Sequence, residues 1–155
     1  MKKTTKIIAI VLVSIIATCG LGYLGLYIFV RTIYNQRSCV WANIDNIEMH
    51  ANIDIPKIKD SQCKYIKEQN VKMTHFDIDI NNVDMDRYIN LNKFKKLETD
   101  TDIAFEHFLE MDDRIANATT FTDLYFTKGS EQGETWQSLL DKSTGKLWVT
   151  IRYKD

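Results

Sequence analysis

The residues that could carry chemistry in this chain include three histidines, and their spacing forms no catalytic signature. His50, His75 and His107 fall in three different predicted elements. The sequence contains neither H-E-x-x-H, which places two imidazoles on one zinc ion, nor the G-x-S-x-G turn that exposes a nucleophilic serine. We therefore expect no enzyme activity, no catalytic residue, no cofactor and no small-molecule substrate.

A group of oxygen-bearing residues has part of the spacing of a calcium loop. Asp77, Asp79 and Asn81 stand at positions 1, 3 and 5 of such a loop. An EF-hand also needs glycine at position 6 and a bidentate glutamate at position 12, where this chain has Asn82 and Tyr88. The alternation of apolar residues explains the carboxylates as the solvent face of a strand, so we expect no metal site.

A third candidate is a cluster of acids with no lysine or arginine between them: Glu98, Asp100, Asp102, Glu106, Glu110, Asp112 and Asp113. They can form the solvated side of an amphipathic helix. They can equally form an acidic face that steers and orients a basic partner, because concentrated charge acts over a distance. Both interpretations stay open, and Glu106, Glu110 and Asp113 are the candidate partner-binding residues of the second.

The strongest pattern is an uncharged run of 24 residues, 7–30. Roughly 20 apolar residues in a helix cross the hydrocarbon core of a bilayer. The run therefore predicts a transmembrane helix. It divides the chain into a cytoplasmic tip and anchor (1–34), a tether (35–43) and an outer domain (44–155).

Two other interpretations of this run stay open. A cleaved signal peptide has a shorter apolar stretch followed by a small-residue cleavage site, which this run lacks. A lipoprotein would be processed immediately before Cys19, where Thr18 is a poor preceding residue. We favour a retained anchor.

Charge predicts the orientation of the anchor. Lys2, Lys3 and Lys6 precede the run, whereas Arg31 and Arg37 follow it. Because excess positive charge stays cytoplasmic, we expect the amino end inside and the outer domain outside. The abundance of Ile, Lys, Asn and Asp is typical of bacteria. We therefore predict a bacterial inner-membrane protein with a periplasmic domain.

The part of the chain after residue 30 is mildly acidic and of the size of one domain. It has 17 Lys and Arg against 21 Asp and Glu. This balance does not favour a nucleic-acid partner. About 125 residues can bury one core but scarcely two.

Cysteine usage agrees with export from the cytoplasm. Cys19 lies inside the apolar run, which leaves Cys39 and Cys63 in the remainder. In an oxidising compartment such a pair is most simply explained by one disulfide. The alternative of a metal or redox site lacks a C-x-x-C motif and a histidine at ligand spacing.

Periodicity predicts strands first and a helix afterwards. A period of two predicts a strand over 46–56 and another over 71–80, the second with a bulge near 74–75 where the apolar phase switches. Helical spacing predicts helices over 84–91 and 102–116, with Phe105, Phe108 and Leu109 on the buried face of the second.

The carboxyl-terminal third predicts a strand meander. Strands are expected over 118–127, 135–140 and 146–153, with turns over 129–133 and 141–145. Strands followed by a helix and an antiparallel meander indicate an α+β domain, in which a small antiparallel sheet packs on one main helix.

The last strand supplies a second candidate interface residue. Leu147, Val149 and Ile151 face one side of this strand, and Trp148 faces the other. An exposed tryptophan on a sheet is a typical interface anchor, so Trp148 competes with the acidic helix as the partner-binding site.

The segment 140–149 (LDKSTGKLWV), with Tyr153, Lys154 and Asp155 at the end, resembles the closing hairpin of small bacterial proteins. Among these are membrane-tethered immunity proteins, which protect a cell from a rival's toxin. The resemblance implies a domain that binds and blocks a toxin outside the inner membrane, and it carries over no site residue.

Two functions follow as hypotheses. The first is a membrane-anchored protein-binding module, most specifically an immunity-type inhibitor of a basic toxin. The alternative is a structural or accessory subunit of a cell-envelope complex, with the membrane helix itself as the assembly element.

Overall fold

A computed structural model describes residues 2–39, 43–98, 108 and 123–154. The chain forms two compact units, Met1–Asn35 and Gln36–Asp155. The first unit contains helix α1 (Lys2–Tyr34). Among the described residues, Thr5–Tyr34 is the one stretch that is long and apolar enough to be a candidate membrane span, and its side chains are mostly exposed.

The second unit is an antiparallel sheet with short helices. Its elements are α2 (Asn43–Ala51), β1 (Ile58–Ile66), a 3-10 turn (Lys67–Gln69), β2 (Val71–Ile78), α3 (Met85–Leu91), β3 (Lys95–Lys96), β4 (Leu124–Glu131), β5 (Glu134–Asp141) and β6 (Lys146–Arg152). The six strands lie in the order β1-β2-β6-β5-β4-β3. The predicted α+β class, an apolar amino-terminal helix followed by a small antiparallel sheet, is confirmed.

Apolar side chains cover both faces of the sheet. One cluster lies on the side of α2 and α3 and includes Ile47, Phe76, Leu147 and Val149. The other cluster consists of Leu97, Phe108, Leu124, Phe126, Leu139 and Trp148. The central strands β2 and β6 are therefore buried on both faces, which is why their burial does not alternate.

The predicted strand over 46–56 is wrong, because the chain forms α2 there. Asn46, Ile47, His50 and Ala51 are the buried residues of this helix, and their spacing of three and four is helical. Met49, which the period of two placed inside, is 46% exposed.

The second predicted strand is confirmed over Val71–Ile78, but its bulge is wrong. The pairing of β2 with β6 runs without interruption from Val71 to Asp77. The apolar phase switches because both faces of this strand are covered. The register shift lies instead in β1, between Ile58 and Asp60.

Local turn chemistry explains the elements that the sequence predicts correctly. Helix α3 begins after Asp84, whose carboxylate accepts a hydrogen bond from the Arg87 N–H at 3.1 Å. The β5–β6 turn is held by the Asp141 carboxylate, and Gly145 has φ +76°, which favours glycine.

Three other predictions are changed in extent or untested. The 129–133 turn is shorter than expected, because β4 continues to Glu131 and β5 begins at Glu134. The predicted strand over 118–127 begins at Leu124 in the described part of the chain. The predicted helix over 102–116 lies outside the described residues except for Phe108, which is helical.

Candidate interaction surfaces and the disulfide strap

The structure contains the disulfide that the sequence predicts. Cys39 and Cys63 are bonded, with Cα atoms 5.6 Å apart and 24 positions apart in the chain. Cys63 lies within β1. The bond therefore fastens the start of the second unit to an edge of the sheet.

The segment Gln36–Cys39, which we call the strap, is held to the sheet by more than the disulfide. The Arg37 guanidinium donates to the Asn70 side-chain oxygen at 3.3 Å and to the Lys154 carbonyl at 3.1 Å. It also lies over the Tyr153 ring, 5.1 Å from the centroid. Gln36–Cys39, which the sequence placed in a tether over 35–43, is thus fixed to the sheet.

A buried lysine lies beneath the strap. Lys72 is 1% exposed, and its ammonium donates to the Gln36 carbonyl at 3.3 Å and to the Asn46 side-chain oxygen at 2.9 Å. Burial lowers the pKa of Lys72 to about 8, because desolvation disfavours the charged form. This side chain joins the strap, α2 and β2.

The same network extends to the end of the chain. The Tyr153 hydroxyl donates to the Asn46 side-chain oxygen at 2.6 Å. Burial raises the pKa of Tyr153, and the nearby Glu134 carboxylate raises it further. His50 on α2 pairs with Glu134 on β5 and meets the Tyr153 ring edge-on. These contacts fix α2 and the strap on the sheet, so the network is structural.

The structure places Trp148 in the second apolar cluster, where it is 3% exposed. The expectation that this side chain is exposed is therefore wrong. Phe108 lies in the same cluster and is fully buried. An alternation pattern could not reveal this, because it reports the face on which a residue lies and not what covers that face.

Glu106, Glu110 and Asp113 lie outside the described residues, so their role as partner-binding residues stays a prediction. The two ends of the segment that carries them are described. The Leu97 N–H donates to the Leu124 carbonyl at 2.8 Å, next to the short β3–β4 pairing. The segment between these two residues therefore leaves and rejoins the sheet at one place.

A basic groove at the β3 edge of the sheet was not predicted from the sequence. A groove of about 660 Å³ is lined by Lys93, Lys95, Lys96, Glu98, Phe126, Thr127 and Lys128. The three lysines between positions 93 and 96 were a readable signal. Lys128 could not be assigned to this groove from the sequence, because only the β3–β4 pairing brings it close to these lysines from about thirty positions away.

The carboxylates of the calcium-loop pattern are engaged by cations. The Lys146 ammonium lies 2.7 Å from the Asp77 carboxylate, and that of Lys59 lies 3.3 Å from Asp79. Hydrogen bonding from Asn82, followed by the lysines, holds the pKa of Asp79 below its usual range. Within the described part of the chain, no group of three His, Cys, Asp or Glu residues could hold a metal ion.

Comparison of the chain with protein-family models, with curated proteins and with solved structures gives no match. The resemblance of the closing hairpin to toxin-immunity proteins therefore stays a prediction. The structure has this hairpin as β5 and β6, with the turn at the predicted residues.

Proposed function

We propose that this chain is a single-pass membrane protein whose outer domain binds a protein partner, most specifically as an immunity-type inhibitor of a bacterial toxin. The candidate membrane helix and the disulfide together support a membrane-anchored domain in an oxidising compartment. The lysines before the helix favour a cytoplasmic amino end and a periplasmic domain on the bacterial inner membrane.

The burial of Phe108 against the Trp148 cluster carries the assignment of the docking surface. In the helix that the sequence predicts over 102–116, Glu106, Glu110 and Asp113 fall about 140–160° around the axis from Phe108. The predicted helix therefore carries the three acids on the side opposite Phe108. This arrangement favours the acidic face over Trp148 as the surface that meets a partner.

The outer domain also has the rigidity that a binding module uses. The disulfide and the buried network of Lys72, Asn46 and Tyr153 hold the strap and α2 in one arrangement. Surfaces formed by the strap and α2 lose little conformational freedom on binding, which raises affinity without adding contacts.

The experiment reverses the three acids to lysine in the full chain, as Glu106→Lys, Glu110→Lys and Asp113→Lys. The probe is the protein encoded beside this gene, tested for toxicity and then for association with the full chain in detergent. We expect the reversal to slow association and to remove its dependence on salt, because exposed charges act mainly on the encounter rate.

The matched control reverses three exposed acids elsewhere, Glu68, Asp123 and Glu131, which changes the net charge equally. This control should keep most of the association rate. If both triple variants bind and protect cells as the unchanged protein does, the acidic helix is only a solvated face and the proposed docking surface is wrong.

The alternative function, a subunit of a cell-envelope complex, is favoured by one observation on α1. The Ser14 hydroxyl donates to the Ile10 carbonyl at 2.9 Å, and the Thr18 hydroxyl donates to the Ser14 carbonyl at 2.8 Å. With these hydroxyls satisfied inside the helix, Ser14, Thr18 and Gly22 offer a stripe that another helix can approach closely. An anchor of equal length with a scrambled sequence should preserve the protection given by an inhibitor. The same change should abolish the assembly of a complex subunit.

A further inference from the structure

We propose that the outer edge of β1 binds the same edge of a second copy of this chain, so that two six-stranded sheets join into one. Strand β1 stands at the end of the sheet, and no strand of the described residues pairs with its outer side. Asp60, Ser61, Gln62 and Lys64 are exposed. An edge of this kind offers unpaired main-chain donors and acceptors.

Main-chain hydrogen bonds of β2 fix which residues of β1 direct their main-chain groups outward. The Tyr153 N–H donates to the Asn70 carbonyl at 2.9 Å, so Asn70 faces β6 and Val71 faces β1. Main-chain direction alternates along a strand. Met73, His75 and Asp77 therefore also face β1.

The register of the β1–β2 pair shows which residues of β1 direct their main-chain groups toward β2. Met73, His75 and Asp77 are paired with Lys64, Gln62 and Asp60. These three residues of β1 therefore face β2, and the N–H and C=O groups of Ser61, Cys63 and Tyr65 face outward. The Ser61 N–H donates to the Asp60 carboxylate at 2.8 Å, as expected for an edge group that lacks a strand partner.

A two-fold axis at Gln62 makes this edge complementary to itself. An antiparallel copy then places Ser61 opposite Cys63, and both of these residues direct their main-chain groups outward. Up to four main-chain hydrogen bonds can form between the two copies. The same register places Asp60 opposite Lys64 twice, and opposite charges in facing positions stabilise an antiparallel pair.

The neighbouring registers lack this match. A shift by two residues in either direction still places outward main-chain groups opposite each other. In one shifted register Asp60 faces Gln62 and Lys64 faces Ile58. In the other, Asp60 faces Ile66 and Lys64 faces Gln62. Neither shifted register brings the carboxylate opposite an ammonium. The charges therefore favour one register and a symmetric pair.

The contact is short, so it depends on local concentration. Five residues on each side, 60–64, form the regular part of the edge, since the register shift of β1 lies just before Asp60. If α1 anchors the chain, two copies share one membrane, and the effective concentration of one edge for the other rises without a new contact. This step alone rests on the proposed anchoring.

The first test uses the full chain in its membrane, with Cys19→Ser so that no free thiol remains. Gln62→Cys places one thiol on each side of the axis, where facing Cα atoms lie about 4.5 Å apart in a non-hydrogen-bonded pair. A short bismaleimide should link two such chains. Ser130→Cys, an exposed residue at the far end of β4, is the matched control and should link at background level.

The second test exchanges the charges in the Gln62→Cys chain. Asp60→Lys or Lys64→Asp should each lower the linked fraction roughly tenfold, because two opposite-charge pairs become two like-charge pairs. The double variant Asp60→Lys with Lys64→Asp should link again, and so should the two single variants expressed together. The proposal is overturned if Gln62→Cys links no more than Ser130→Cys, or if linking does not respond to these charge exchanges.

Discussion

The ammonium of Lys72 and the main-chain carbonyl of Gln36 lie 3.3 Å apart, so a central strand of the sheet is bonded directly to the strap. This contact spans 36 positions of the sequence. It also keeps a positive charge almost fully buried, and the neutral groups of Gln36 and Asn46 are the hydrogen-bond acceptors around it. Because burial of this charge costs free energy, the stability of the domain depends measurably on pH.

We predict that the domain becomes more stable between pH 7 and 9.5, and that Lys72→Met removes this rise. The folded pKa of Lys72 is about 8, below its ordinary 10.5, so the unfolded chain holds the proton more tightly. Stability therefore increases with pH mainly between about 8 and 10.5, by up to about 3 kcal/mol over that whole range, of which about 2 kcal/mol falls between pH 7 and 9.5. Urea unfolding in detergent micelles at several pH values measures it.

The same measurement separates Lys72 from other titrating groups. Burial raises the pKa of Tyr88 and Tyr153, which makes the domain less stable at still higher pH, above the ordinary tyrosine value of 10. The difference between the unchanged protein and Lys72→Met isolates the lysine. If the unfolding free energy depends on pH equally in the two proteins, this account of Lys72 is refuted.

Removal of the disulfide should destabilise the domain. The double variant Cys39→Ser with Cys63→Ser frees a loop closed over 24 positions, which costs roughly 3–4 kcal/mol on the chain-entropy model. The urea midpoint should fall, while Cys19→Ser should leave it unchanged. A reductant that exposes both thiols to maleimide without moving the midpoint would contradict this prediction.

Trp148 should behave as a core residue and not as a surface anchor. Trp148→Ala and Phe108→Ala should each lower the free energy of unfolding by about 3–5 kcal/mol, because each leaves a cavity in the second cluster. A double-mutant cycle should show a coupling of roughly 0.5–3 kcal/mol. Additive losses would mean that the two side chains do not share one cluster in solution.

A side chain at Gly129 should destabilise the domain, because Trp136 occupies the space. A Cβ atom at Gly129 would overlap the Trp136 ring. Gly129→Ala should therefore cost about 1–3 kcal/mol in unfolding free energy. Ser130→Ala is the neighbouring control, and Trp136→Leu should relieve most of the cost. A neutral Gly129→Ala would show that the ring moves aside freely.

Elements with their own turn chemistry could be predicted from the sequence. Asp84 caps α3, and the Asp141–Gly145 turn shapes the last hairpin, because each acts over a few residues. The start of the second unit could not be predicted in this way. In α2 a period of two coincided with helical spacing at Ile47 and Ala51, and tertiary contacts selected the helix.

Strand β1 and the covering of Trp148 required tertiary information. The residues of β1 are mostly exposed, so they lack the apolar alternation by which a strand is recognised. Trp148 stands on the expected face of β6, but Phe108, forty positions away, helps to bury it. The disulfide was predictable because only two cysteines remained outside the apolar run.

The central claim, that a membrane anchor holds this domain outside the cytoplasm, is tested most directly by reporter fusions at the carboxyl end. Alkaline phosphatase folds only outside the cytoplasm of a bacterial cell, and a fluorescent cytoplasmic reporter is silent there. We predict an active phosphatase fusion that stays with the membrane after alkaline washing, and a silent cytoplasmic reporter. An inactive phosphatase with a bright cytoplasmic reporter, or an active fusion released into the soluble fraction, would contradict the claim.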